Sequence, residues 1–164
     1  MTRKTRWVVL LALCGLIGST ARATDRPLDI TISTANPVVK VGSEIVIKLM
    51  VRNVSKKKRN VTKSNAPLQA ELYYEVLVRD GHGNTPKETR YQRQITGKEP
   101  VNIQGSTVYV TLAPNEAVSD GLLLNKLFEL TEPGRYTVQV TREIPKELGG
   151  GLVKSNILEI TITE

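Results

Sequence analysis

Cysteine, histidine, tryptophan and phenylalanine occur once each in the 164 residues. A single histidine, His82, cannot supply the imidazole pair of a two-histidine zinc site. A single cysteine, Cys14, cannot form a disulfide within the chain. Cys14 and the lone tryptophan, Trp7, both fall in the N-terminal apolar run, so neither belongs to the domain that follows. The remaining aromatics are Tyr73, Tyr74, Tyr91, Tyr109, Tyr136 and Phe128, thin material for a stacking platform. Long hydrophobic runs are scarce too. The one candidate, Trp7–Gly18, has 12 residues, and a helix that spans a bilayer needs about 20.

That run has another reading. It follows the basic "MTRKTR" and precedes "STARA", whose small Ala21 and Ala23 suit a signal peptidase pocket. The expectation is a signal peptide over 1–23, cleavage after Ala23, and an exported domain over 24–164, periplasmic or extracellular, with no membrane span after cleavage. Leu13 precedes Cys14 in mid-run, which disfavours lipidation there. The formal charge of +7 then shrinks. Arg3, Lys4, Arg6 and Arg22 leave with the signal, and 19 basic residues face 16 acidic ones. The remainder is uneven: residues 24–98 hold 14 bases and 7 acids, residues 99–164 hold 5 and 9. Such asymmetry bears on encounter and solubility rather than on fold.

What is abundant is alternation. "LDITIST" sets Leu28, Ile30 and Ile32 on one face. "EIVIKLMVR" does the same with Ile45, Ile47, Leu49 and Val51. "QAELYYEVLVRD" aligns Ala70, Leu72, Tyr74, Val76 and Val78 against Glu71, Tyr73, Glu75 and Arg79. "STVYVTL", "RYTVQVTR" and "SNILEITIT" repeat the pattern. Period two with β-branched residues predicts half-buried strands. "RYQRQIT" reads as a polar edge strand, Leu122–Leu127 as a strand or short helical turn, and "NVSKKKRNVTKSNAPL" as a long irregular loop. Pro-Gly, Asn-Pro, Asp-Gly and Gly-Asn pairs punctuate the runs. The fold class predicted is all-β: an immunoglobulin-like β-sandwich of seven to eight antiparallel strands. Tyr136, just after Pro133-Gly134, is placed for a tyrosine corner, its hydroxyl bonding upstream backbone.

These segments together resemble a family of exported bacterial proteins, mostly uncharacterised, built on a single immunoglobulin-like sandwich. "VRNVS" is similar to the end of their second strand, "YYEVLVRDGHGNTPKETRYQ" to their third strand and the turn after it, "LNKLFELTEPGRYTVQVTRE" to their penultimate region and "KSNILEITIT" to their last strand. The first half is more loosely similar to bacterial proteinase-inhibitor domains. The resemblance implies a fold and leaves function open, and the "KKKR" insertion departs from both patterns.

Candidate chemistry is sparse. Six cations crowd residues 52–63: Arg52, Lys56, Lys57, Lys58, Arg59 and Lys63. Arg52, Lys56, Lys57, Lys58 and Arg59 are the candidate contacts for an anionic partner. The bland alternative is a solvated loop whose charges block edge-to-edge association. Nucleic acid is disfavoured, because the loop lacks stacking aromatics and exported proteins seldom meet it. Asn53-Val54-Ser55 and Asn60-Val61-Thr62 match the glycosylation sequon, read here as chance. Glu71 and Glu75, four residues apart on a strand, would lie about 13 Å apart, too far for the roughly 5–9.5 Å of a glycosidase pair. Around His82, a helix-loop-helix calcium pattern counted from Asp80 would need glutamate where Tyr91 stands. The two flanking glycines suit a hairpin tip instead.

The expectation is therefore a non-enzymatic binding or structural module with no cofactor and no metal, meeting an unknown protein or an anionic envelope component. One alternative is a protease inhibitor offering "KSNAPL" or "REIPKELGGG" in extended form. Another is a glycan-binding module using outward-facing Tyr73 and Tyr109.

Overall fold

The computed structural model describes residues 27–164 apart from Asn102, Gln104 and Gly149, so the expected signal segment over 1–23 lies outside the described residues. Alternation translates directly into burial in the first strands. β1 (Leu28–Ser33) buries Leu28, Ile30 and Ile32 and turns Asp29, Thr31 and Ser33 outward. β2 (Val38–Lys40) is short and mostly exposed. β3 (Val46–Asn53) buries Ile47, Leu49, Val51 and Asn53. β4 (Arg59–Ser64), β5 (Glu75–Asp80), β6 (Thr107–Leu112), β7 (Ala117–Leu123), β8 (Gly134–Ile144), β9 (Gly151–Lys154) and β10 (Leu158–Thr163) complete the set.

Three hydrogen-bonded sheets result. One has the order β1-β3-β7 and is antiparallel throughout. A second has the order β2-β10-β8-β5, with β9 also pairing β8. β4 and β6 form a two-stranded ribbon. Their inner faces share one core: Ile30, Ile47 and Leu49 from the first sheet, Val78, Val138 and Ile160 from the second, Val61 and Leu112 from the ribbon. Each fully buried aliphatic side chain contributes roughly 1.5–3 kcal/mol.

The first two strands join different sheets. After β1 the chain turns at Asn36-Pro37 and β2 joins β10 in parallel register, Val39 opposite Ile162. Thr161 N–H donates to Pro37 O at 2.7 Å and Val41 N–H to Thr163 O at 2.8 Å. Asn156 supports the neighbouring seam: its Oδ1 accepts from Ile32 N–H at 2.8 Å and its Nδ2 donates to Ile32 O at 3.1 Å. A side-chain amide thus takes the place of a strand partner on the open edge of β1. The tyrosine corner forms, with the buried Tyr136 donating its hydroxyl proton to Glu132 O at 2.8 Å.

Several expectations need correction. The described residues hold ten strands rather than seven or eight, and the β2–β10 pair is parallel. "RYQRQIT" is not an edge strand. Arg90–Ile95 is a helix, α1, capped by Thr89, whose Oγ1 accepts from Gln92 N–H at 3.2 Å. Tyr91, Gln92 and Ile95 turn to the protein while Arg90 faces out, a one-turn helical face that alternation imitates over so few residues. The third strand starts at Glu75 rather than Ala70, because Ala70–Leu72 winds into a 3-10 turn. Leu122–Leu127 divides between the end of β7 and a second helix, α2 (Leu124–Leu127). Part of "NVSKKKRNVTKSNAPL" is ordered strand, β4, paired to β6 with Val61 opposite Val110.

Candidate functional site

The cationic segment forms the connection between β3 and β4, and one side chain organises it. Asn53 ends β3 with no exposed surface. Its Nδ2 donates to Lys57 O at 2.8 Å and to Leu112 O at 2.9 Å. Its Oδ1 accepts from Ser55 N–H at 3.0 Å and Ser55 Oγ at 2.8 Å. Arg59 Nε donates to Ser55 Oγ at 3.1 Å. An asparagine that bonds the backbone ahead of it folds a turn locally, and here the same amide also ties the turn to β6.

Consequently Lys56, Lys57 and Lys58 project from a fixed backbone, all three exposed, and none takes part in an ion pair among the described residues. Arg52 lies one residue before the hub, exposed, with Nη1 donating to Asn115 O at 3.0 Å. Arg59 is half-buried and braces the turn. The five cations expected together are thus contiguous, but three are free to meet a partner while Arg52 and Arg59 also hold the scaffold. Both sequon asparagines carry structural bonds. Asn53 uses both ends of its amide inside the protein, and Asn60 Oδ1 accepts from Thr111 Oγ1 at 2.7 Å.

The outer face of β3 continues the positive surface. Lys48, Met50 and Arg52 alternate outward along it. Beside them lies a groove of about 650 Å³, floored by Thr31, Ser33, Val46 and Gly121 and walled by the segment after β4, Asn65–Leu68. "KSNAPL" begins in β4 at Lys63-Ser64 and ends with Leu68 against Gly121 of β7, with Asn65, Pro67 and Leu68 exposed. "REIPKELGGG" contains a 3-10 turn at Lys146–Leu148.

On the far side of that segment, at the edge between the two large sheets, sits a charged group that alternation conceals. Glu71 was expected on an exposed strand face, but the 3-10 turn carries it inward and it is buried. Its Oε1 accepts from Tyr91 Oη at 2.8 Å and Lys126 Nζ at 3.0 Å, and the ammonium stands 4.0 Å from the centre of the Tyr91 ring. Burial alone would lower the Lys126 pKa; the bonds to Glu71 and Tyr91 outweigh it and raise it. Burial raises Tyr91 as well, with Lys126 opposing and Glu71 adding to the rise. Nearby Asp120 is raised by burial, against a backbone bond from Gly121 and the charge of Lys63. Tyr74 is raised by burial against the pull of Arg142, whose guanidinium lies 4.9 Å from its ring centre. Glu75 joins β5 and accepts from Thr141 Oγ1 at 3.0 Å.

The His82 loop is a turn. Asp80 Oδ1 accepts from His82 N–H and Asn84 N–H, both at 2.8 Å, and Gly83 holds φ at +84°, a value that favours glycine. The backbone bond from Asn84 chiefly holds the Asp80 carboxyl below its usual range. The chain does not return as a hairpin strand but runs into α1. Of the expected outward tyrosines, Tyr73 is half-buried with its hydroxyl 2.6 Å from Thr107 Oγ1, and Tyr109 is 77 % exposed on β6.

The described residues thus make an all-β fold of open sheets with two short α-helices and two 3-10 turns. Among solved structures, the chain is similar to the CARDB domain of the PF1109 protein from Pyrococcus furiosus, determined in complex with di-metal ions: 14 % identity, TM-score 0.43, covering 82 % of this chain and 91 % of that one. It also overlaps a β-glucosidase from Listeria innocua, determined in complex with glucose, at 12 % identity and TM-score 0.41, covering 84 % of this chain and only 16 % of that one. No protein-family model matches the sequence. No curated protein matches it either. No helix among the described residues is long and apolar enough to cross a membrane.

Proposed function

We propose that the protein is a non-enzymatic, exported binding module with an immunoglobulin-like sandwich, which engages an anionic protein or envelope surface through the β3–β4 turn. One observation carries this reading: Lys56, Lys57 and Lys58 stand exposed and, among the described residues, without ion pairs on a backbone fixed by the buried Asn53 amide. A flexible cationic loop would lose conformational freedom on binding. A turn already held by four hydrogen bonds loses less, so more of the electrostatic attraction appears as affinity. Attraction of this kind accelerates encounter and weakens with salt.

The test uses dextran sulfate as a polyanionic probe. Lys56, Lys57 and Lys58 are replaced together by serine, leaving Arg52 and Arg59 to hold the turn. Binding at low salt should fall at least tenfold while the thermal midpoint stays within about 2 °C, as expected for surface changes of under 0.5 kcal/mol. Equal binding by the variant and the parent would refute the role of the turn.

A further inference from the structure

The groove beside the turn has features that the proposed anion-binding turn does not use. Its volume of about 650 Å³ falls in the range of small-molecule sites, about 300–1,000 Å³. Its wall is held in an unusual way. Leu68 has φ at +53°, a conformation that bulky side chains avoid and that persists only where surroundings impose it. The leucine reaches over β7 at Gly121, where a Cβ would come within 3.0 Å of Leu68 Cδ2 and 3.3 Å of Ile47 O. Glycine there is the notch that seats the leucine. The result is an apolar wall of Ala66, Pro67 and Leu68 standing over the outer face of the β1-β3-β7 sheet. Leu68 and Met50 remain 37 % and 43 % exposed.

Two cations and one acid line this apolar surface. Lys48 projects from β3 on the same face as Met50. Lys63 donates to Ser119 O at 3.2 Å, leaving two of its three N–H bonds for another acceptor. Thr31, Ser33 and Ser119 add hydroxyls. The acid, Asp120, also lines the groove; it is cross-strand from Leu49, a core residue, so its side chain belongs to the inner face of the sheet, where the charge of Lys63 acts on it.

We infer that this groove binds a small single-chain amphipathic carboxylate, its head between Lys48 and Lys63 and its alkyl body along Met50, Val46 and Leu68. Charge complementarity selects the head: two ammonium groups and three hydroxyls face the groove, and they suit an oxyanion. The apolar wall selects the body. A bare anion would leave Leu68 and Met50 exposed, and an uncharged alkane would leave the lysines unused. The site is independent of the turn, since none of Lys56, Lys57 and Lys58 lines it.

Octanoate is the probe, with octylamine as the control of opposite charge, titrated into the purified protein and followed by two-dimensional NMR. Octanoate should saturate, with the largest shifts at the Met50 methyl and at Ala66, Leu68 and Gly121. Octylamine should bind at least tenfold more weakly. Lys48→Glu, at an exposed position, should weaken octanoate about tenfold, the effect of losing roughly 1.4 kcal/mol, with the spectrum otherwise retained. Gly121→Ala should unseat Leu68 and weaken octanoate while Lys48 is intact. The triple serine variant of the turn should keep octanoate affinity within twofold.

Equal binding of octylamine and octanoate, or an unchanged affinity in Lys48→Glu, overturns the proposal. So does loss of octanoate binding in the turn variant, which would move the ligand to the turn. Binding to anionic phospholipid vesicles without any saturable response to octanoate also overturns it, because the groove would then be part of a membrane-facing surface rather than a site for a monomeric ligand. A failure of the dextran sulfate test leaves these outcomes untouched.

Discussion

Asn53 shows how one polar residue can be worth burying. Its amide makes four hydrogen bonds, two donated and two accepted. Removing it strands the carbonyl of Leu112 in a buried place, and an orphaned buried group costs about 1–3 kcal/mol. Asn53→Ala should therefore lower the unfolding free energy by about 2 kcal/mol, read by urea titration. It should also weaken dextran sulfate binding although every lysine remains, because the backbone that presents them is no longer held. A destabilised variant with full binding would separate the hub from the function. Asn53 is hidden from period-two reading, since its position on the inward face of β3 is one that alternation assigns to an apolar side chain. Tyr136 was legible for the opposite reason. The Pro-Gly turn and a tyrosine at the start of an alternating strand are local features, and the hydrogen bond that follows spans only four residues. Glu71 was illegible, because alternation from Ala70 to Val78 reads as one continuous strand, and nothing local marks the 3-10 turn that carries the carboxylate inside.

The elements divide along the same line. Strands with strong alternation, β1, β3, β8 and β10, match their predicted faces, since one side of each meets the core. α1 did not match. Its "YQRQI" sets Tyr91 and Ile95 four residues apart, a spacing that shares one face in a strand and in a helix alike, and its helical identity depends on a cap and on a partner 37 residues away. Thr89 Oγ1 accepts from Gln92 N–H and donates to Lys126 O at 2.6 Å, so it starts α1 and fastens it to α2 at once. Thr89→Ala should cost about 1–2 kcal/mol, at the upper end of cap removals, whereas Thr89→Ser should restore most of the loss. The Tyr91 and Lys126 resonances should shift with it, since both sit on the joined elements. A Thr89→Ala variant with parental stability would mean that core packing of Tyr91 and Ile95 alone holds the helix. Pairing of β2 with β10 was equally out of reach, because three residues, two of them exposed, carry no pattern and the parallel register is set by the turn at Asn36-Pro37 and by the far end of the chain.

At the scale of the whole molecule, the sign of each pKa displacement fixes how stability depends on pH. Lys126, Tyr91, Tyr74 and Tyr136 all hold their protons more tightly in the fold than in the open chain. Above about pH 10 the unfolded chain releases those protons first. Stability should then fall as the pH rises through the raised native values. Asp80 and Glu99 behave oppositely: the Asn84 backbone bond in one case and the Arg93 side chain in the other hold them low. Their contribution is complete above the ordinary carboxylate range near 4 and disappears as the pH falls through their native values. Asp120 runs against its fellow acids. Burial at the edge between the two large sheets raises it, so ionising it costs stability that is absent at low pH and grows as the pH rises toward neutrality. Asp120→Asn keeps a side-chain oxygen that can accept from Gly121 N–H, the partner of Asp120 Oδ1 at 2.8 Å, and removes that cost. The variant should melt at a higher temperature than the parent at pH 7 and at the same temperature at pH 3, where both side chains are neutral. A thermal gain of equal size at both pH values would assign the effect to packing. A loss at pH 7 would mean that the attraction of Lys63 outweighs the burial of the charge, so the comparison across pH decides between those two forces at the edge of the sheet.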